Sequence, residues 1–194
     1  MKNVKAIIIP AIAMLVICLV SAFLLAGTNS LTKDTIKENE IKQIEESRKA
    51  LLPFMVGHRG ERTYNINGKE VSGLLAFDGT GNDIGYIFTS SSKGYGGEVK
   101  VMTALDMNGK VLKTVVLSMS DETPGLGQNA SKPDFLEKFS GNGGPFIWVK
   151  NNGSGNEIQG VTSATFTSKA VIECVNDAVS AYNMMKEEAT ENGK

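Results

Sequence analysis

The stretch Gln159-Gly-Val-Thr-Ser-Ala-Thr-Phe-Thr-Ser-Lys169 marks the place where a short apolar segment gives way to a predicted helix. After it, apolar residues recur at spacings of three and four, which is typical of a helix with one buried face. These residues are Ala170, Val171, Cys174, Val175, Ala178, Val179 and Tyr182. The pattern therefore predicts a long C-terminal helix that packs on the rest of the fold.

Five hydroxyl residues are clustered at the expected start of this helix. They are Thr162, Ser163, Thr165, Thr167 and Ser168. Oxygen side chains at a helix start cap free backbone N–H groups. The positive end of the helix dipole also favours an anion there. The residues alone therefore allow two interpretations, a helix cap without a ligand or a site that binds an anion. The cap without a ligand is the more frequent of the two.

Two glycine-containing segments come earlier in the chain. In Gly94-Tyr-Gly-Gly97, glycine permits close approach of the backbone to a ligand, and Tyr95 can lie against a flat ring. The string Glu122-Thr-Pro-Gly-Leu-Gly127 is interpreted as a loop fixed by its proline and opened by its glycines. Its backbone N–H groups and Thr123 are candidate ligand contacts. We expect Glu122 to hold the loop by hydrogen bonds, because no partner acid or base stands near it for catalysis.

The region between residues 64 and 117 has the pattern of short strands separated by tight turns. The predicted strands are Leu74–Phe77, Gly85–Ser90, Glu98–Leu105 and Val111–Met119. Asn108-Gly109, between two alternating runs, is the strongest hairpin signal in the chain. A short helix is expected at Lys132–Phe139 and a strand at Pro145–Lys150. Successive strands with tight turns indicate an antiparallel sheet rather than βαβ units.

The N-terminal run from Ala6 to Ala26 is apolar and uncharged. As a helix it would be roughly 30 Å long, which matches the hydrocarbon core of a bilayer. A cleaved signal peptide is the alternative, but its apolar region would be only about 7–15 residues long. We therefore predict an uncleaved anchor. Lys2 and Lys5 favour a cytoplasmic N-terminus, with the rest of the chain on the other side.

These segments give the predicted fold class and domain plan. The class is α+β, with an N-terminal transmembrane helix followed by an antiparallel sheet with flanking helices. The predicted parts are a cytoplasmic N-terminus and anchor at residues 1–27, a linker helix at 28–53, an extracytoplasmic domain at 54–185 and a polar tail at 186–194. Within the linker, the spacing predicts a stripe of buried residues at Ile36, Ile41, Ile44, Leu51 and Leu52, with Pro53 ending the helix.

Composition excludes several classes of function. The 194 residues carry a net charge of −1 and no basic block, so the sequence does not indicate a nucleic-acid partner. The chain has two cysteines and one histidine, too few for the usual zinc site outside the membrane segment. No metal site and no catalytic residue are predicted.

The string Thr162-Ser-Ala-Thr165 resembles the Ser/Thr-Gly-Ala-Thr flavinylation motif of the FMN-binding domain family. This family includes RnfG of Rnf complexes and NqrC of the sodium-translocating NADH:quinone oxidoreductase. The Glu122–Gly127 string resembles its second signature, and the Gly94–Gly97 turn resembles another recurring segment. The resemblance implies FMN bound covalently to Thr165 through a phosphoester bond. The further cofactor-binding residues that it implies are Thr162, Ser163, Ala164, Thr167, Glu122, Thr123, Gly125, Leu126, Gly127, Tyr95 and Gly96.

Two positions differ from the family pattern. Ser163 stands where the family usually has glycine, and Gln159 stands where it often has Asp. If the motif needs a positive φ at that glycine, Ser163 strains the turn. If the Asp helps the modifying enzyme, Gln159 weakens its recognition.

The resemblance implies an electron-carrier subunit of an Rnf-type ion-translocating ferredoxin:NAD oxidoreductase in the cytoplasmic membrane. Its expected partners are the other membrane subunits, together with an ApbE-like flavin transferase that supplies FMN from FAD with Mg²⁺. Two other functions are kept as alternatives. One is a stand-alone extracytoplasmic flavoprotein reductase, and the other is a binding module that carries no flavin.

Overall fold

A computed structural model describes the backbone of residues 2–191 and the side chains of residues 7–190. The elements in chain order are helix α1 (Lys2–Leu51), strands β1 (Gly57–Ile66), β2 (Lys69–Phe77), β3 (Asp83–Lys93), β4 (Glu98–Leu105) and β5 (Val111–Ser118), helix α2 (Pro133–Leu136), strands β6 (Ile147–Val149) and β7 (Glu157–Gln159), and helix α3 (Thr165–Glu191). The predicted α+β class is confirmed. Residues 192–194 of the predicted polar tail lie outside the described residues.

The chain divides into two compact units between Gln43 and Ile44. The first unit is the N-terminal part of α1, which is long and apolar enough to cross a membrane. Helix α1 does not break at residues 27–28, where the predicted anchor ends and the predicted linker helix begins. The hydroxyls of Thr28 and Thr32 instead donate to the carbonyl oxygens four residues earlier, at 2.9 and 2.8 Å. Such bonds let hydroxyl residues remain inside a helix.

The predicted stripe on the linker helix is partly wrong. Leu31, although apolar, is 84% exposed, and Ile36 and Ile41 of the stripe are exposed as well. Only the residues near the end of α1 pack as expected, because Leu51 and Leu52 are buried beside the sheet in the second unit. Lys113 Nζ donates to the carbonyl of Ala50 at 3.0 Å and so caps one of the last free carbonyls of the helix.

The second unit is built on a five-stranded antiparallel sheet in the order β1-β2-β3-β4-β5. Each strand pairs with its neighbour in sequence, so every connection is a hairpin. The predicted hairpin at Asn108-Gly109 joins β4 to β5 and is confirmed. There Asp106 Oδ1 accepts the N–H groups of Asn108 and Lys110, both at 2.8 Å, and Gly109 has a φ of +81°. Strand β1 was not predicted.

Two apolar layers cover the two faces of the sheet. Helix α3 packs in one layer, and all seven residues of its predicted apolar face are buried there. Alternate residues of the same strands meet the end of α1 in the other layer; these are Leu74, Ala76, Ile87, Met102 and Ala104, together with Leu117 of β5. Strand β4 is an inner strand and is buried on both faces, as its almost continuous run of buried residues shows.

A polar cluster interrupts the layer under α3. Lys69 Nζ lies 2.6 Å from Glu173 Oε1 and 3.7 Å from Asp177 Oδ2. Ser90 donates to Asp177 at 2.9 Å, which satisfies a carboxylate that is only 4% exposed. Burial raises the pKa of Asp177, whereas the hydrogen bond from Lys69 lowers the pKa of Glu173. The cluster joins α3 to β2 and β3.

The segment between β5 and α3 winds back toward the start of that helix. The helix predicted at Lys132–Phe139 is split into α2 and the 3-10 helix Glu137–Phe139, with Pro133 in the first turn, where its missing N–H costs least. The predicted strand at Pro145–Lys150 is shortened to β6. It pairs with β7 in parallel, so the sheet structure is not purely antiparallel.

Candidate cofactor site

A cavity of about 530 Å³ lies where three segments meet, namely the turn after β3, the loop after β5 and the start of α3. Nine of the twelve predicted cofactor-binding residues line it. They are Tyr95, Glu122, Thr123, Leu126, Gly127, Ser163, Ala164, Thr165 and Thr167. Phe166, a further residue outside the predicted set, also lines the cavity. Residues separated by up to about 70 positions in the chain are thus brought to one place.

Helix α3 begins at Thr165, whose side chain is exposed. The residue before it is Ala164, which has no side-chain oxygen to cap the helix. Ser168, buried in the first turn, accepts the N–H of Val161 at 2.9 Å and so fixes the approach to the helix rather than its end. Among side chains 7–190 none accepts a hydrogen bond from the first N–H groups of α3. The plain hydroxyl cap is therefore not what the structure contains.

Ser163 adopts a left-handed conformation, with a φ of +62°. Within the described residues only Asn67 and Asn152 share this feature without being glycine. Asparagine tolerates this region far better than serine does. The strain expected at this position is confirmed. It turns the chain so that residues 163–165 face the cavity.

Glu122 connects the three segments. Its carboxylate accepts the N–H groups of Tyr95 and Gly96 at 2.7 and 3.1 Å on Oε1, and the hydroxyl of Thr167 at 2.6 Å on Oε2. The side chain is only 2% exposed, so these three donors stabilise a buried charge. The expectation that Glu122 holds its loop by hydrogen bonds is confirmed.

The glycines of the site leave room for the Glu122 side chain and for the backbone beside it. A Cβ atom at Gly94 or Gly127 would collide with a carboxylate oxygen of Glu122, and one at Gly96 would collide with the carbonyl oxygen of Asp121. The sequence suggested that glycine allowed a ligand to approach. What approaches the backbone here is the protein's own buried carboxylate.

An exposed aromatic pair flanks the cavity. Tyr95 is 73% exposed and Phe166 is 66% exposed, with ring centroids 6.2 Å apart and planes inclined by 39°. Leu126, at 44% exposed, adds an aliphatic surface. Apolar side chains gathered at the mouth of a cavity indicate a ligand or a partner. An aromatic residue inside the hydroxyl run was the signal that could have identified Phe166.

Three predicted site residues do not line the cavity. Gly96 is connected to the cavity only through the hydrogen bond that its N–H donates to Glu122. Thr162 is exposed and directly precedes Ser163, which does line the cavity. Gly125 adopts a left-handed conformation with a φ of +76°. Gln159, one of the two departures from the family pattern, is an exposed residue of β7 whose carbonyl accepts Lys138 Nζ at 3.1 Å.

Comparisons with known proteins show the family of this chain. Residues 94–180 match the FMN-binding domain, and residues 1–50 match the RnfG N-terminal region. The G subunit of the proton-translocating ferredoxin:NAD(+) oxidoreductase complex of Clostridium ljungdahlii is 30% identical over 163 residues, 84% of each chain. The G subunit of the Na(+)-translocating complex of Acetobacterium woodii is 31% identical over 182 residues, covering 86% of this chain and 87% of the relative.

A solved structure is also similar to this chain. The crystal structure of NqrC from Shewanella oneidensis is 16% identical, with a TM-score of 0.48, over 65% of this chain and 66% of that one. The matches to the two relatives above cover 84% and 86% of this chain. The chain belongs to the RnfG family of ion-translocating oxidoreductase complexes and carries the FMN-binding domain of that family.

Proposed function

We propose that this chain is the electron-carrier subunit of an ion-translocating ferredoxin:NAD oxidoreductase complex, with FMN in the cavity and joined by a phosphoester bond to Thr165. One observation carries the proposal. An exposed threonine begins α3 in the cavity wall, beside backbone N–H groups that no described side chain caps. A helix N-terminus of this kind stabilises a phosphate group.

The residues around the cavity fit FMN in size and chemistry. Its volume lies in the usual range for ligand pockets, about 300–1,000 Å³. Tyr95, Phe166 and Leu126 offer apolar surfaces for a flat ring system, and the start of α3 offers donors for a phosphate. When bound, FMN would supply one-electron transfer, and the protein would tune it by hydrogen bonds and burial.

In this proposal Thr165 is the group that reacts in the attachment step. Its hydroxyl oxygen would form a bond to the FMN phosphorus of FAD while the bond to the adenylate breaks, so that AMP leaves and the hydroxyl proton goes to a base. No hydrogen bond joins Glu122 to Thr165 in the described residues, because its oxygens accept the N–H groups of Tyr95 and Gly96 and the hydroxyl of Thr167. An ApbE-like transferase with Mg²⁺ would therefore provide the base, and the exposure of Thr165 gives it access.

The apolar part of α1 supports anchoring beside other subunits of the complex. Anchoring raises the effective concentration of a carrier near its redox partners. Lys2 and Lys5 support a cytoplasmic N-terminus and hence an extracytoplasmic flavin domain. Within this arrangement, residues 1–27 would be the N-terminus and anchor, 28–53 the linker, 54–185 the flavin domain and 186–194 the tail.

The test is full-length protein co-expressed with a flavin transferase, with Thr165→Val compared with Thr165→Ser. The parent chain should fluoresce in a denaturing gel and gain the mass of FMN less water. Thr165→Val should lose both signals because it lacks the attachment oxygen, and Thr165→Ser should retain part of them. Fluorescence that persists in Thr165→Val would move the attachment to another hydroxyl, and a dark parent chain would favour a module without flavin.

Co-purification distinguishes a complex member from a stand-alone reductase. A member of the complex should be recovered with the other membrane subunits when it is isolated in mild detergent. A stand-alone reductase would be recovered alone and would reduce a soluble acceptor without them.

A further inference from the structure

Lys169 lies one helical turn after Thr165 on α3. Residues four apart share one face of a helix, and a helical side chain leans back toward the preceding turn. Lys169 and Thr165 therefore share one face of α3, one turn apart. No role was predicted for Lys169 from the sequence.

Trp148 fixes the position of this lysine. The ammonium group of Lys169 lies over the indole ring, 4.9 Å from its centroid, which is a favourable cation–π distance. The edge of the same indole packs against Gly160, where a Cβ atom would collide with Nε1. Trp148 thus contacts the chain just before the hydroxyl-rich turn as well as the helix just after it.

The ammonium group of Lys169 is not used in an ion pair with another described side chain. Glu122, the buried acid of the cavity, is already satisfied by three donors. Lys138, a second cation nearby in the fold, donates to the Gln159 carbonyl and lies over the ring of Phe135. Among the residues that the structure describes, Lys169 is thus the cation on the helix face of Thr165 that has no anionic partner.

Building on the proposed function, we propose that Lys169, held by Trp148, pairs with the phosphate of the flavin at Thr165. Lys169 would contribute a positive charge, and the first N–H groups of α3 would contribute the hydrogen bonds. Trp148 would be a positioning residue that restricts the lysine to the side of the helix where the phosphate lies. The tryptophan would act only through the lysine.

The test compares two ligands that differ only in the phosphate. In full-length Thr165→Val, which cannot form the covalent bond, the affinities for FMN and for riboflavin are measured by flavin fluorescence quenching. Adding Lys169→Gln should weaken the affinity for FMN about 5- to 20-fold and leave the affinity for riboflavin unchanged. A charge-assisted contact at a partly exposed site has an effect of that order. Lys186→Gln is the matched control, because Lys186 lies over Tyr182 near the other end of the same helix.

Trp148→Leu and Trp148→Phe separate positioning from folding. Trp148→Leu should reproduce part of the loss of FMN affinity, whereas Trp148→Phe, which keeps an aromatic ring, should retain the FMN affinity. In the Lys169→Gln background neither substitution should weaken FMN binding further. An equal loss for FMN and riboflavin, or no change for either, would overturn the role of Lys169. If the Thr165→Val chain bound neither flavin, the role of Lys169 would be overturned, whereas the proposed function would still be decided by covalent flavin on the parent chain.

Discussion

At the scale of single residues, Ser163 shows how one side chain can oppose the conformation that its site requires. Its φ of +62° is costly for serine, and glycine would adopt it without strain. Ser163→Gly should therefore stabilise the protein by about 0.5–1 kcal/mol, because relief of the left-handed strain exceeds the added entropy of the unfolded chain. Thermal unfolding of the full chain measures this effect.

Asn152→Gly is the matched control for that prediction, because Asn152 has a φ of +55° in an exposed turn that does not line the cavity. Both variants should gain stability, the serine variant more. Only Ser163→Gly should also increase the fraction of chain that a transferase loads with flavin. Equal effects of the two variants on loading would show that the turn at Ser163 does not limit attachment.

Glu122 is the residue on which the cavity wall depends. Glu122→Ala would leave the donors of Tyr95, Gly96 and Thr167 without their acceptor, and should destabilise the protein by about 2 kcal/mol. Glu122→Gln keeps one carbonyl oxygen for the two N–H groups, and its amide can donate to the threonine oxygen. It should cost less than about 1 kcal/mol. Chemical denaturation would measure both, and equal losses would contradict this account of the carboxylate.

At the scale of elements, α1 contributes to two different parts of the molecule. Its last residues belong to the second compact unit, where Leu51 is 3% exposed and packs on the sheet. Leu51→Ala should cost about 2–4 kcal/mol, as truncation of a buried leucine usually does. Leu31→Ala is the control and should change stability by less than about 0.5 kcal/mol, because Leu31 is 84% exposed.

Thermal unfolding of the two leucine variants measures the difference, and similar values would show that the end of α1 does not help to hold the domain. The same comparison bears on the domain boundary. A predicted boundary at residue 54 leaves Leu51 and Leu52 outside the flavin domain, whereas the division at Ile44 keeps them inside. A fragment that begins at residue 44 should therefore be more stable than one that begins at residue 54.

Elements with local patterns were the ones that the sequence could predict. Helix α3 and the β4–β5 hairpin depend on residues close together in the chain, namely a stripe of apolar residues and an Asn-Gly turn. Strand β1 was missed because most of it is exposed, so its residues lack the apolar alternation of a half-buried strand. The continuity of α1 was not predicted, because the polar residues at 28–30 separate the apolar run from the linker helix; the hydroxyl of Thr28 is accommodated inside the helix by its bond to the Leu24 carbonyl.

At the scale of the whole molecule, the site could be predicted residue by residue but not as an arrangement. The family motifs pointed to nine of the ten residues that line the cavity. They could not show that Glu122 joins residues 27 positions before it and 45 positions after it. Such long-range contacts follow from how the sheet, the loop and α3 pack, and no local pattern encodes them. The pairing of Trp148 with Lys169 was hidden for the same reason.

The way in which Glu122 joins these segments also determines when the cavity can exist during biosynthesis. The turn at Tyr95 and the loop at Glu122 are made early, but Thr167 belongs to α3, which emerges from the ribosome after every strand of the sheet. A nascent chain without α3 has no complete pocket and offers no ordered threonine to a transferase. Loading with flavin would then be a post-translational step, and the presence of flavin would report that the domain had already folded.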